Sequence, residues 1–173
     1  MIRDIDFEAL TLQDALDLAI LIEEEAEERY LEFADQMEAF FTPEAARFFR
    51  YMAANEAKHG SELRARRQQR FADAPATIDR DAVWEIEAPA YEKARAFITP
   101  RRVLEIALDS EEKAHDFFAK AAPYLKDPEV RKLFEELRLE EIEHQRLVRE
   151  EIAKQPPDSD TDPEAILDEP YEM

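Results

Sequence analysis

Four segments of the sequence place a core residue every three or four positions, and this spacing constrains the fold more than any other feature. Such spacing puts side chains on one face of an α-helix. The four sets, called the core register here, are Leu12, Leu16, Ala19, Glu23, Ala26, Tyr30, Phe33 and Met37; Ala45, Phe49, Met52, Glu56, His59 and Leu63; Leu104, Ala107, Glu111, Ala114, Phe118, Ala121 and Leu125; and Val130, Phe134, Leu137, Glu141, His144 and Val148. The sequence therefore predicts four helices packed around one core.

Capping residues indicate where these helices begin. Thr11 stands three residues before Asp14, which is the spacing of a capping box. Three further pairs join a capping side chain to a proline that suits the first helical turn: Thr42-Pro43, Thr99-Pro100 and Asp127-Pro128. The predicted helices cover residues 12–39, 43–71, 100–122 and 128–154. We expect an all-α, antiparallel four-helix bundle whose one long crossover, residues 72–99, joins the second and third helices.

The domain organisation follows from length and from a change in composition. A chain of 173 residues suits one domain. We predict that residues 1–155 form the bundle and that residues 156–173 form an acidic, disordered tail, because this segment carries seven acidic residues and no basic one. The stretch "AILDEPY" within it is a candidate docking segment for a protein partner.

Composition excludes several classes of function. The sequence has no cysteine, which rules out disulfides, iron–sulfur clusters and cysteine nucleophiles. The net charge of −20 repels nucleic acid and anionic membranes and attracts cations. No apolar stretch approaches the roughly 20 residues that span a bilayer, and the first ten residues do not resemble a signal peptide. We therefore predict a cytoplasmic protein that binds neither nucleic acid nor membrane.

Each predicted helix places a single glutamate in its core register, and the second and fourth helices add a histidine. Buried carboxylates cost several kcal/mol each unless a cation meets them. Two divalent cations would balance four carboxylates, and oxygen and imidazole ligands suit iron or manganese. The sequence therefore predicts a dimetal site with the ligands Glu23, Glu56, His59, Glu111, Glu141 and His144.

The Glu-x-x-His spacing alone is weak evidence in a chain so rich in glutamate. His115 also follows a glutamate, Glu112, by three residues, but both lie one position off the core register. We interpret His115 as a surface residue.

Tyr30 lies in the register seven residues after Glu23 and could steady that carboxylate or supply a proton or an electron. The simpler interpretation of Tyr30 is a core tyrosine bonded to any nearby acceptor.

An internal repeat relates the two halves of the chain. The segment "LAILIEEEAEERYLEFA" around Glu23 parallels "LEIALDSEEKAHDFFAKA" around Glu111. The two glutamates are 88 residues apart, and Glu56 and Glu141 are 85 residues apart. This nearly constant offset predicts a pseudo-two-fold site between two helical hairpins.

At these residues the sequence resembles the ferritin-like superfamily and, within it, the rubrerythrin family. The segments "AILIEEEAEERY", "EAKH", "ALDSEEKAHDFF" and "EIEH" carry the resemblance, which covers roughly residues 8 to 153. It implies a ferritin-like bundle with a di-iron centre on the six predicted ligands, no haem, reaction with peroxide or oxygen, and a homodimer. Manganese is the alternative metal.

Two features depart from the family pattern. Rubrerythrins proper carry a rubredoxin module with four cysteines, so the electrons here would come from an external donor or from Fe(II) itself. Peroxidase-type members have a further glutamate three residues after the position of Glu111, where this chain has Ala114, and the symmetry-related residue is Ala26. The sequence is most similar to the rubredoxin-less branch that is sometimes called erythrin.

The resemblance implies a non-haem di-iron oxidoreductase, a peroxide reductase or ferroxidase, that acts in oxidative stress. In this hypothesis Glu56 and Glu141 bridge the two metals, while Glu23 and Glu111 bind the outer faces. Two alternatives stay open at this point. One is an iron-binding protein for sequestration or delivery without sustained turnover, and the other is a metal-free structural bundle.

Overall fold

Four long helices make up the described part of the chain. The computed structural model describes residues 5–40, 42–80 and 99–157. The helices are α1 (Leu12–Ala39), α2 (Pro43–Phe71), α3 (Pro100–Ala121) and α4 (Pro128–Lys154), and a 3-10 turn (Ala122–Tyr124) follows α3. These ranges contain no strand. The predicted all-α fold is confirmed, and the helix bounds agree except that α3 ends at Ala121.

Three of the four predicted caps form. The side chains of Thr11, Thr99 and Asp127 accept hydrogen bonds from backbone N–H groups in the first turns of α1, α3 and α4. The prediction for Thr42 was wrong, because its hydroxyl donates to the carbonyl of Met37 at 2.8 Å and makes no cap on α2. Thr42 therefore closes the turn after α1 and does not satisfy an N–H of α2.

Two apolar clusters fill the two ends of the bundle. The first cluster holds the beginning of α1, the end of α3 and the beginning of α4, with Leu16, Phe118 and Phe134 almost fully buried. The second holds the end of α1, the beginning of α2 and the beginning of α3, with Met37 and Phe49 at its centre. The helices of each pair, α1 with α2 and α3 with α4, are therefore antiparallel.

The residues after α2 start at one end of the bundle and α3 starts at the other, because α2 ends beside the first cluster and α3 begins in the second. Its first residues follow α1. The backbone N–H of Thr77 donates to Asp17 at 3.0 Å, and the guanidinium of Arg80 donates to Glu28 farther along the helix. The remainder of the predicted crossover, residues 81–98, and the predicted tail beyond residue 157 lie outside the described residues.

The expectation of a single core carboxylate per helix was wrong for α1 and α4. Asp17 is 5% exposed, but it accepts hydrogen bonds from Arg67 and Thr77. Glu151 is also buried and pairs with Lys154 at 2.7 Å. A cationic side chain therefore neutralises each of these two carboxylates, so neither needs a metal.

No helix in the described ranges combines the length and the apolar character that crossing a membrane requires.

Candidate metal centre

The predicted ligands lie at mid-height of the bundle, between the two apolar clusters. On each helix they fall between the residues that contribute to one cluster and those that contribute to the other. The four glutamates and one histidine are almost fully buried: Glu23 (4% exposed), Glu56 (2%), Glu111 (5%), Glu141 (5%) and His144 (4%). His59 differs, because 18% of its side chain is exposed.

Helix geometry brings the two Glu-x-x-His pairs face to face. Residues three apart project from the same side of a helix, so α2 presents Glu56 with His59, and α4 presents Glu141 with His144. The two imidazole rings stack with their centroids 5.4 Å apart and their planes inclined by 14°. One carboxylate oxygen of Glu56 lies 3.2 Å from Nδ1 of His144, and the other lies 3.9 Å from Nδ1 of His59. Glu56 is thus in contact with both histidines.

The potential ligand atoms divide into two sides. On the closed side, named for its full burial, the atoms of Glu111, Glu141 and His144 lie within 4.8 Å of one another. On the open side, oxygens of Glu23 and Glu140 and a nitrogen of His59 meet the same limit. A third set joins Glu56 to both histidines. All six predicted residues therefore come together, and Glu56 lies between the two sides.

Glu140 was missed by the sequence reasoning. It precedes Glu141 and so lies one position off the core register, which is the criterion that removed Glu112 and His115 from consideration. One residue corresponds to a rotation of about 100° around the helix. On α4 that rotation turns Glu140 from the bundle axis toward α2 and His59. Glu140 differs from a surface residue only because α2 packs against its side of α4. The sequence pattern of a single helix does not reveal from which side a neighbouring helix packs.

His115 lies away from both sides of the centre. Its side chain is 26% exposed, its Nε2 is 3.3 Å from Arg138, and its Nδ1 is 3.5 Å from Asp116. It belongs to none of the three sets of ligand atoms found in the described residues. This placement agrees with its exclusion from the predicted site.

Tyr30 contacts the closed side and not Glu23. Its hydroxyl is buried and donates a hydrogen bond to Oε1 of Glu111. Seven residues correspond to about 10 Å along a helix, so Tyr30 is too far from Glu23 along α1 and reaches across the bundle to α3. The simpler interpretation, a core tyrosine bonded to any nearby acceptor, therefore describes Tyr30, and the acceptor is itself a predicted ligand. Gln145 adds a hydrogen bond of 3.2 Å to the backbone carbonyl of Glu111.

On the closed side, the charges of Glu111 and His144 stabilise each other. Burial alone would raise the pKa of Glu111, but the hydrogen bond and the charge of His144 lower it below its usual range. Burial likewise opposes the charge on His144, yet Glu111 raises the pKa of that imidazole. Burial and the negative charge of Glu111 raise the pKa of Tyr30 well above its usual value. The phenol therefore stays protonated and donates a hydrogen bond. Without metal, Glu111 and His144 form an ion pair.

The open side carries less charge without metal. Burial raises the pKa of Glu23 to about 7, although a hydrogen bond with Glu56 partly offsets the increase. Burial, together with the charge of His144, lowers the pKa of His59. Burial also raises the pKa of Glu140. At neutral pH His59 is therefore a neutral imidazole, the form that binds a metal.

The residues fit a pair of divalent cations. Nδ1 of His59 is shielded from solvent and makes no hydrogen bond within the described part of the chain, although buried nitrogens are normally bonded. Four carboxylates within one low-dielectric core repel one another, and two divalent ions would balance their charge. Carboxylate oxygen and imidazole nitrogen are ligands that iron and manganese accept.

A four-helix bundle that buries a glutamate from each helix and a Glu-x-x-His pair on two of them defines the ferritin-like class. Residues 14–155 match the sequence model of the rubrerythrin family, and the chain belongs to that family. The crystal structure of an uncharacterised conserved protein from Magnetospirillum magnetotacticum MS-1 is similar, with a TM-score of 0.75 and 32% identity over 87% of this chain and 99% of that chain. A comparison with curated proteins gives no match. The predicted family is confirmed.

Proposed function

We propose that the protein is a non-haem di-iron oxidoreductase that oxidises Fe(II) with peroxide or oxygen. The observation that carries this proposal is the convergence of six glutamate and histidine side chains between two apolar clusters. When bound, a pair of Fe(II) ions supplies Lewis acidity and two electrons, with which hydrogen peroxide and two protons become two water molecules, or oxygen and two protons become hydrogen peroxide.

The geometry suggests a role for each ligand. Glu56 is the best candidate for a bridge between the two metals, because its two oxygens face His59 and His144. Glu141 would hold the metal on the closed side from α4. Glu23 and Glu111 would each bind one metal from α1 and α3, and the two histidines would complete the ligand set.

The rest of the core fixes the ligands of the closed side and keeps them dry. Tyr30 holds one oxygen of Glu111, which leaves the other oxygen, 3.4 Å from Nδ1 of His144, to face the centre. The rings of Phe49 and Tyr30 stack with centroids 6.0 Å apart above the ligands, and the first apolar cluster closes the bundle below them. A dry, preorganised site strengthens the interactions between ligands and a bound cation.

The surface charge favours the same chemistry. A net charge of −20 raises the local concentration of cations such as Fe(II) around the protein. In keeping with the family resemblance, we expect an external electron donor to re-reduce the centre between turnovers and the chain to form a homodimer.

Rapid mixing tests the proposal. The metal-free protein, loaded with two equivalents of Fe(II) without oxygen, is mixed with hydrogen peroxide or with oxygen, and Fe(III) formation is followed by absorption. We expect fast oxidation that consumes one peroxide per two Fe(II), and repeated turnover when a chemical reductant is supplied. Glu56→Ala should abolish the fast phase. Glu143→Ala, on the exposed face of α4, should leave it unchanged.

Rapid mixing and elemental analysis together separate the alternatives. Tightly bound iron that reacts with neither oxidant would support sequestration or delivery. Protein that contains almost no metal after growth with ample iron and manganese would support a structural bundle. Elemental analysis of that preparation also identifies the native metal.

A further inference from the structure

Glu140 takes part in the open side of the centre although it lies outside the predicted ligand set. One of its oxygens is within 4.8 Å of an oxygen of Glu23 and a nitrogen of His59. Glu23 comes from α1, His59 from α2 and Glu140 from α4. Three helices therefore direct a ligand atom each at one point, and such convergence is the geometry that a metal ion requires.

The carboxylate of Glu140 has no direct ionic partner in the described part of the chain, although the charges of His144 and Lys58 partly offset the effect of burial on its pKa. The side chain is half-buried, and among the residues that the structure describes it forms neither an ion pair nor a hydrogen bond. Its neighbours on α4 do form ion pairs: Glu136 pairs with Arg66 at 3.0 Å, and Glu143 pairs with Arg146 at 2.6 Å. A half-buried carboxylate without a cation is costly, so a cation on the open side would relieve a specific unfavourable contact.

The extra carboxylate breaks the pseudo-two-fold symmetry of the centre. The offset of 85 residues that relates Glu56 to Glu141 also relates Asn55 to Glu140. The position on α2 that corresponds to Glu140 thus holds a neutral amide. The internal repeat supplies a similar ligand set to both sides, and Glu140 adds a further carboxylate to the open side alone.

A surface pocket reaches the open side. Its volume is about 210 Å³, and it lies between α2 and α4. Both His59 and Glu140 line it, whereas no residue of the closed side does so. Its apolar lining includes Leu63 and Leu137, and its charged lining includes Glu62 and the ion pair of Glu136 with Arg66. The pocket therefore gives an ion a path from solvent to His59 and Glu140 along the edge of the first apolar cluster.

We propose that Glu140 is a seventh ligand of the metal centre and binds the ion on the open side together with Glu23 and His59. This inference rests on the proposed dimetal function. With Glu140 the centre holds five carboxylates, one more than two divalent ions neutralise. Each side then holds two carboxylates and one histidine, with Glu56 between them, and the open position, which the pocket reaches, is the one that exchanges its ion with solvent.

Titration of the metal-free full-length protein with Co(II) tests the assignment. Calorimetry counts the ions, and visible absorption reports their coordination. The wild type should bind two ions in two steps. Glu140→Gln should weaken one step by about tenfold or more and change the absorption of that ion, while the other step stays as it is. Glu143→Gln removes the same charge from the exposed face of α4 and should titrate like the wild type.

Glu140→Asp separates ligation from a general charge effect, because it keeps the charge and shortens the side chain. A ligand role predicts weakened binding on the open side, and circular dichroism verifies that each variant is folded. The assignment is overturned if Glu140→Gln or Glu140→Asp titrates like the wild type, or if Glu143→Gln weakens binding equally. Two ions bound to the wild type with no effect of Glu140 would leave the dimetal centre in place, whereas a wild type that binds no metal would remove both proposals.

Discussion

The closed and open sides of the centre have nearly the same ligands and different surroundings. On the closed side Tyr30 and Gln145 fix Glu111 through hydrogen bonds, and the opposite charges of Glu111 and His144 offset each other. On the open side His59 remains partly exposed, Glu23 has a pKa of about 7, and a pocket leads to solvent. The ligands are duplicated, but their hydrogen bonds and their access to solvent are not.

This difference arises from residues that the internal repeat does not duplicate faithfully. Tyr30 corresponds to Phe118, which has no hydroxyl and cannot make the matching hydrogen bond. Glu140 corresponds to Asn55. A preorganised ligand set binds more tightly than one that must be ordered by the metal. We therefore expect the closed side to bind its ion first and to retain it longer.

The largest effect should follow the loss of the residue that the two sides share. Glu56 contacts both histidines, so Glu56→Ala should weaken both metal-binding steps by about 100-fold or more, beyond the effect typical of outer residues. Calorimetry of the metal-free variant measures this change. Glu143→Ala is the control. Loss of one step alone would show that Glu56 belongs to one side and is not shared.

The pH dependence of stability tests the open side. The folded, metal-free protein holds the proton of Glu23 with a pKa of about 7, against a usual value of 4.5. Because the folded state binds this proton more tightly than the unfolded state, the free energy of unfolding should decrease as pH rises from about 4.5 to about 7. The decrease should be roughly 2 to 4 kcal/mol, at about 1.4 kcal/mol per pH unit.

Denaturant unfolding of the chelator-treated protein across this range measures the effect. Glu23→Gln should remove most of the dependence and stabilise the metal-free protein at pH 8. Glu24→Gln, at the next position of α1, should keep the wild-type profile. If the free energy of unfolding of Glu23→Gln decreases with pH as steeply as that of the wild type, the titrating proton belongs to another group.

Removal of the phenol hydroxyl tests the closed side. Tyr30→Phe deletes the hydrogen bond to a buried carboxylate, which should lower the free energy of unfolding of the metal-free protein by about 1 to 3 kcal/mol. It should also weaken the tighter metal-binding step by about tenfold. Tyr51→Phe is the matched control, because Tyr51 is 53% exposed. A change confined to the weaker step would reverse the assignment of the two sides.

The smallest effect concerns the contact of α2 with Glu23. A methyl group added at Gly60 would meet Cβ of Glu23 at 3.5 Å and Nη1 of Arg64 at 3.4 Å, which are ordinary contacts. Gly60→Ala should therefore raise the free energy of unfolding by about 0.5 to 1 kcal/mol through helix propensity and leave both binding steps intact. Ala54→Gly, on the exposed face of α2, should lower it by a similar amount. Weaker binding in Gly60→Ala would mean that Glu23 needs the space.

The helices and most of the ligands could be predicted because the signals lie within single segments. A cap such as Asp127 and the three-and-four spacing around Glu141 depend on the geometry of one helix. The partners of Tyr30 and Glu140 depend on how far one helix is shifted and rotated against another, which no single segment contains. The same limit explains Asp17, whose neutralising partner Arg67 lies 50 residues away on α2.

Diffraction from crystals of the metal-loaded protein, with anomalous scattering at the iron and manganese edges, tests the central claim most directly. The account predicts two ions at mid-height of the bundle, both in contact with Glu56, one beside Glu111 and His144 and the other beside Glu23 and His59. A core without ions in protein prepared with excess metal, or ions bound only at surface carboxylates, would contradict it.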